Sequence, residues 1–236
     1  EFKDQALNRQ RIVLTKFLNP YHQSIVYSII GKSDDLIVLE DGGLINSETK
    51  RLIIAPAFYQ IEKADFEIAL AKITYAKPFG KLGHRDILGA LMSLGIKREL
   101  FGDIVEKDKD FYLAVDRHIY EYLKDHLSMI KRSKVKFVEW DEEIEVKNDY
   151  LVKSFIVSSF RLDKIISSFY KISRQKAAEF IRAGHVKVNH KPVEQINYLC
   201  NNKDIISFKK HGRVMFVDCN KQTRSDNYVV EGYFYK

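Results

Sequence analysis

The spacing of apolar positions divides the chain into three stretches. In the first, Leu7, Ile12, Val13, Phe17 and Leu18 recur at roughly helical intervals until Pro20 ends the run, which predicts a helix over 7–18. A second helix is expected from Pro20 through Ile25, Val26, Ile29 and Ile30, with Gly31 as its stop. Residues 36–39 and 52–55 are rich in β-formers and flank turn residues that include Asp41, Gly42 and Gly43, so they read as strands. Residues 1–64 are therefore expected to form a small α+β domain.

The second stretch, 65–150, reads as β-α-β-β-α-β. Strands are expected at 66–75, 101–106, 111–115 and 135–140. One helix runs over 85–94 and stops at Gly95; Ile119, Tyr120, Leu123, Leu127 and Ile130 mark the other. Two such halves make a ferredoxin-like sandwich with helices on one sheet face and the other face free. RNA-recognition domains share this topology, but topology alone assigns no function. The third strand lacks the basic-Gly-aromatic-Gly pattern of a base-stacking strand, and at most one of Phe111 and Tyr112 is expected to stack on a base.

In the third stretch, expected as a domain over 154–236, Leu162, Ile165, Ile166 and Phe169 form the stripe of a short amphipathic helix. Ser173 caps a second helix carrying Ala177, Phe180 and Ile181, which Gly184 ends. Residues 186–191 alternate apolar and polar as in a hairpin strand. Residues 204–208 read as another strand, with Lys209, Lys210 and Arg213 in the turn beyond.

Charge adds to this picture only once it is located. Residues 161–217 hold 12 Lys+Arg against 4 Asp+Glu, whereas residues 1–160 hold 24 against 25. Basic charge confined to one segment suits a polyanion, because phosphate contacts release counterions. The capped start of the second helix sets Arg174 and Lys176 beside unpaired N–H groups, an arrangement suited to phosphate. Arg182 follows Arg174 by about 80° around an ideal helix. Arg161 precedes the first helix, and Lys187 and Lys191 project from the polar face of the hairpin. Asn189 suits either a backbone or base-edge contact or a turn role. Asp163 is expected to support the first helix or orient a nearby base.

Two cysteines, Cys200 and Cys219, give neither a disulfide framework nor a zinc pattern and read as reduced thiols. No metal or other cofactor is expected. No apolar run is long enough to span a bilayer, and the segment following Glu1 has no signal-peptide core.

The blocks RLDKII (161–166), SRQKA (173–177), IRAGHVKVN (181–189) and DIISF (204–208) together resemble the S4 (αL-type) RNA-binding domain, over about a quarter of the chain. S4 domains grip structured RNA with the helix pair and adjoining hairpin. The resemblance thus implies RNA contacts by Arg161, Lys164, Ser173, Arg174, Lys176, Arg182, His185, Lys187, Asn189, Lys191, Lys209, Lys210 and Arg213. His190 departs from the pattern, in which glycine commonly follows the asparagine. Upstream, FLNP (17–20), RLIIAP (51–56) and HRDILGALMSLGIKRELFGDI (84–104) resemble YlmH proteins of Gram-positive bacteria. That resemblance implies a cytoplasmic, non-enzymatic protein that binds the large ribosomal subunit with peptidyl-tRNA when stalled ribosomes are rescued, and a link to cell division. Arg85, Lys97 and Arg98 are candidates for a secondary RNA contact in the middle domain.

Two other readings stay open. S4 domains accompany pseudouridine synthases, whose catalytic aspartate sits in an Arg-Leu-Asp context like Arg161-Leu162-Asp163; here, however, that triplet starts the helix pair. Alternatively, the near-neutral front half docks a division partner and RNA binding is secondary.

Overall fold

The computed structural model describes residues 2–31, 33–75 and 81–235. They belong to two compact units, Glu1–Lys147 and Asn148–Lys236.

The first unit opens with helix α1 (Phe2–Leu7), strand β1 (Val13–Leu14) and helix α2 (Pro20–Ile30). Of the helix expected over 7–18, only Leu7 is helical. Residues 13 and 14 pair instead with strand β3 (Arg51–Pro56), and the Thr15 hydroxyl accepts from Leu52 N at 2.8 Å. Tertiary pairing overrides a weak local helical pattern there. Helix α2 begins as expected: Pro20 occupies the first turn, and the Asn19 side chain accepts from His22 N. Strand β2 (Leu36–Asp41) completes a three-stranded sheet in the order β1-β3-β2.

The remainder of this unit is the expected sandwich. Its main strands are β4 (Ile68–Tyr75), β5 (Phe101–Lys107), β6 (Asp110–Asp116) and β8 (Ser133–Glu139), with helices α3 (His84–Ser93) and α4 (Arg117–His126). A short strand β7 (Met129–Ile130) pairs with β8, giving the order β5-β6-β4-β8-β7. The helix marked by residues 119–130 therefore ends at His126, and Ile130 reaches the core from a strand. Phe111, Leu113 and Val115 point to the helices and share their core with Ile87, Leu91 and Leu123.

The other sheet face is not free. Tyr112 and Ala114 lie in a second cluster with Phe17, Leu44 and Ile144, flanked by Trp140 and Val146. Both Phe111 and Tyr112 are therefore buried, and neither offers a ring to a base. The front segment covers this face, and several polar bonds hold it there. Buried Arg51 donates to Thr15 O at 2.9 Å, Glu67 O at 3.1 Å and Asp116 Oδ2 at 3.2 Å. Asp103 accepts from Glu48 N and from the Thr49 hydroxyl. Gly102 permits the close approach of Phe17, since a Cβ there would lie 2.9 Å from the ring.

The second unit is a six-stranded antiparallel sheet in the order β11-β10-β12-β13-β14-β9. Its strands are β9 (Tyr150–Val157), β10 (Val186–Val188), β11 (Lys191–Pro192), β12 (Ile205–Phe208), β13 (Gly212–Gln222) and β14 (Tyr228–Tyr235). Helices α5 (Leu162–Tyr170) and α6 (Arg174–Arg182) pack on one face. Leu162, Ile165, Ile166, Ala177 and Ile181 are fully covered there against Val186, Ile206, Phe208, Val214 and Phe216. The two long strands after residue 211 and the strand from Tyr150 lie outside the sequence expectation. Arg213 accordingly sits within β13 rather than in the turn.

Candidate nucleic-acid interface

The two helices are joined by a tight αL link. Lys171 has φ 52°, and Ile172 is held at both ends of its peptide by Ser167. Ser173 then caps α6, its hydroxyl accepting from Lys176 N at 3.2 Å. This places Arg174 and Lys176 in the first turn, beside the N–H groups that an α-helix leaves unpaired.

Asp163 holds the pair together. Its carboxylate is 2% exposed and receives Arg161 Nε at 3.0 Å, Arg161 Nη2 at 3.2 Å and Arg174 Nε at 2.6 Å. Burial alone would raise its pKa, but the hydrogen bonds from the two guanidiniums outweigh that and hold it below the usual carboxylate range. Asp163 thus fixes the two helix N-termini to one another and aims both arginines, a role narrower than the support expected from sequence.

Asn189 is likewise committed to structure. Its φ of 49° and that of His190, 66°, make the two-residue turn between β10 and β11 left-handed at both positions. The Asn189 amide donates to Asp204 Oδ1 at 2.7 Å, and its oxygen accepts from Ile205 N at 2.9 Å. His190 therefore keeps the conformation that glycine would favour, at some backbone cost. Asp204 also accepts from Asn201 N at 2.8 Å.

These pairings change the surface charge. Of the four carboxylates in 161–217, Asp163 and Asp204 are buried and bonded within the unit, leaving Glu179 and Glu194 exposed. Nine of the twelve cations in the same span are exposed, including Lys176, Arg182, Lys187, Lys191, Lys209 and Lys210. Lys164 is half-buried and donates to Ser158 Oγ at 2.9 Å. His185 sits at the end of α6, where its ring lies 5.8 Å from that of Phe180. Arg213 is half-buried and lies 4.3 Å over the Tyr235 ring, on the sheet face away from the helices.

The secondary candidates are less favourable. Arg85 is exposed in the first turn of α3, on an open groove of about 520 Å³ that also includes Asp86, His126 and Lys131. Lys131 pairs with Asp86 at 2.6 Å, so part of that groove's positive charge is already satisfied. Lys97 and Arg98 are both exposed, but the Arg98 guanidinium is engaged locally, donating to Phe101 O and lying over the Phe101 ring. Among the described residues, no cluster of His, Cys, Asp and Glu is arranged to hold a metal ion. No helix of the described residues is long and apolar enough to cross a membrane.

Comparison with known proteins covers the same ground. Residues 1–59 match the family model described as "YlmH, N-terminal", residues 62–143 match "Putative RNA-binding domain in YlmH", and residues 160–206 match the S4 domain. A curated relative from Bacillus subtilis (strain 168), the ribosome-associated protein quality control protein P2, is 33% identical over 244 residues, covering 97% of this chain and 92% of the relative. Among solved structures, the cell division protein ylmH from Streptococcus pneumoniae aligns with a TM-score of 0.51 and 30% identity, over 59% of this chain and 85% of that one. With the upstream blocks and the S4 blocks matched in order along almost the entire length, the chain belongs to the YlmH family.

Proposed function

We propose that this protein is a non-catalytic RNA-binding factor of the large ribosomal subunit. In this reading it grips rRNA and peptidyl-tRNA with the α5–α6 face and hairpin while stalled ribosomes are cleared in the cytoplasm. The observation that carries the reading is the pair of capped helices locked by Asp163, which presents exposed Lys176 and Arg182 with the hairpin cation Lys191. Structured RNA suits such a platform because fixed cations and helix N–H groups match phosphates held at fixed spacing. The Bacillus subtilis relative is named for ribosome-associated quality control, which fits that assignment.

The rival synthase reading requires Asp163 to be free to attack a base. A buried carboxylate held by two arginines is a scaffold element, so the local geometry favours binding over chemistry. A division-linked role has in its favour the name of the pneumococcal neighbour, a cell division protein.

The test is cofractionation of the full chain with ribosomal particles on a density gradient. Sedimentation with large subunits, lost after RNase treatment, is expected. Retention of a protein partner without ribosomes would favour the division-linked reading.

A further inference from the structure

The sheet of the second unit has two faces, and the helix pair uses one. Strand register defines the other. Lys187 pairs with Ser207, Ser207 with Arg213, and Tyr235 with Tyr150, so these residues share the face opposite the helices. Arg213 continues the row to Tyr235, whose ring it covers at 4.3 Å. Tyr150 in turn meets Tyr235 edge to face at 5.0 Å and Tyr233 at 5.7 Å. A cation–aromatic row therefore crosses five strands, a span of about 19 Å at the usual interstrand spacing of about 4.8 Å. Met215 pairs with Tyr233, and Tyr233 with Val152, in the adjoining row. Val152 and Ile156 are 46% and 60% exposed on the same face. Glu231 is the acidic neighbour and accepts the Tyr233 hydroxyl at 3.2 Å.

We propose that this outer face is a second RNA site, one that takes unpaired nucleotides by stacking bases on Tyr150, Tyr233 and Tyr235 while Arg213 and Lys187 meet the phosphates. The proposal extends the RNA-binding reading from the helix face to the opposite side of the sheet. Single-stranded RNA is favoured over a protein occupant by charge. The row runs from two tyrosines, with Tyr233 in the row beside them, into a guanidinium and an exposed ammonium, and Lys187 stands at the margin shared with the helix-side cations. Half-buried rings on a sheet, flanked by cations, are the recurrent device for holding bases without sequence preference. Such a factor would engage a rigid RNA helix with one face and an unpaired segment with the other.

The experiment uses the full chain with two probes, a 12-nucleotide single-stranded RNA containing 5-iodouridine and an RNA hairpin without unpaired tails. Tyr150→Leu with Tyr235→Leu keeps the apolar packing and removes the rings. It should weaken the single strand about tenfold or more while leaving the hairpin within about twofold. Lys176→Glu with Arg182→Glu should do the reverse, so failure of this site and failure of the helix-face reading give different patterns. Photocrosslinks on the unmodified protein should map to β9 and β14, a readout independent of variant folding. Crosslinks confined to 161–191, or unchanged single-strand affinity in the tyrosine variant, would overturn the proposal and leave Val152 and Ile156 to a protein partner.

Discussion

Arg174 Nε donates to Asp163 Oδ2 at 2.6 Å, tying the first turn of α6 to the first turn of α5. The bond consumes charge in order to place charge. Asp163 neutralises part of two arginines and, in return, their backbones and side chains are held in one arrangement.

Asp163→Asn should therefore lower stability by about 1–3 kcal/mol at neutral pH, since it leaves two guanidiniums facing a neutral amide. The pH dependence follows from the depressed pKa of the folded state. The contribution is fully present above the ordinary aspartate pKa of about 3.9 and is lost as pH falls through the lower folded value. Urea melts of the two proteins should begin to converge below about pH 4. A gap that stays constant down to pH 2 would show that Asp163 contributes no charge-dependent stability. The same variant should leave the nucleoside content of rRNA unchanged; a modified nucleoside that disappears with it would establish chemistry.

Reversing Lys176 and Arg182 together should weaken binding to structured RNA and reduce the salt dependence of the affinity. Each phosphate that the protein no longer neutralises lowers the slope of log K against log salt by about 0.7–0.9. Filter binding at several salt concentrations measures both effects, and an unchanged slope would remove these residues from the interface. Both side chains are exposed and make no ion pair among the described residues, so stability should hold.

Tyr112→Ala should destabilise the first unit by about 3–5 kcal/mol and leave RNA affinity of the folded protein unchanged. Its ring is 4% exposed, meets Trp140 edge to face at 5.5 Å, and lies under Lys72 Nζ. A selective loss of RNA binding without a drop in melting temperature would mean that this ring faces RNA after all.

Cys200 should resist alkylation until the chain unfolds. It is 3% exposed, and burial, with Asp204 nearby, pushes its thiol up to about 12. Timed maleimide labelling with peptide mapping would test this; rapid modification at pH 8 in the native protein would contradict it.

The helix pair, its cap and the basic segment were legible because each has a local signature: a stripe at 3- and 4-residue steps, a serine before Arg174, and cations without matching anions. The ferredoxin-like strand order followed from the alternation of elements. What escaped was whatever depends on distant partners. Residues 13 and 14 became a strand because β3 was there to receive them, and Tyr112 was buried because Phe17, Leu44 and Ile144 came over it. Arg51 carried a recognisable motif but no hint that it would be an internal tie with 5% exposure. The outer row of Tyr150, Arg213 and Tyr235 exists only through register between strands far apart in sequence.

That register has a temporal side. Strand β9 borders β14 alone, so Val157 must wait for Tyr228 before its edge is satisfied. A ribosome making this chain delivers the helix pair well before the strand that closes the sheet, and long-range closure of this kind is slow. The capped helix pair is thus translated in advance of the sheet it packs on, and the completed unit arrives only with β14.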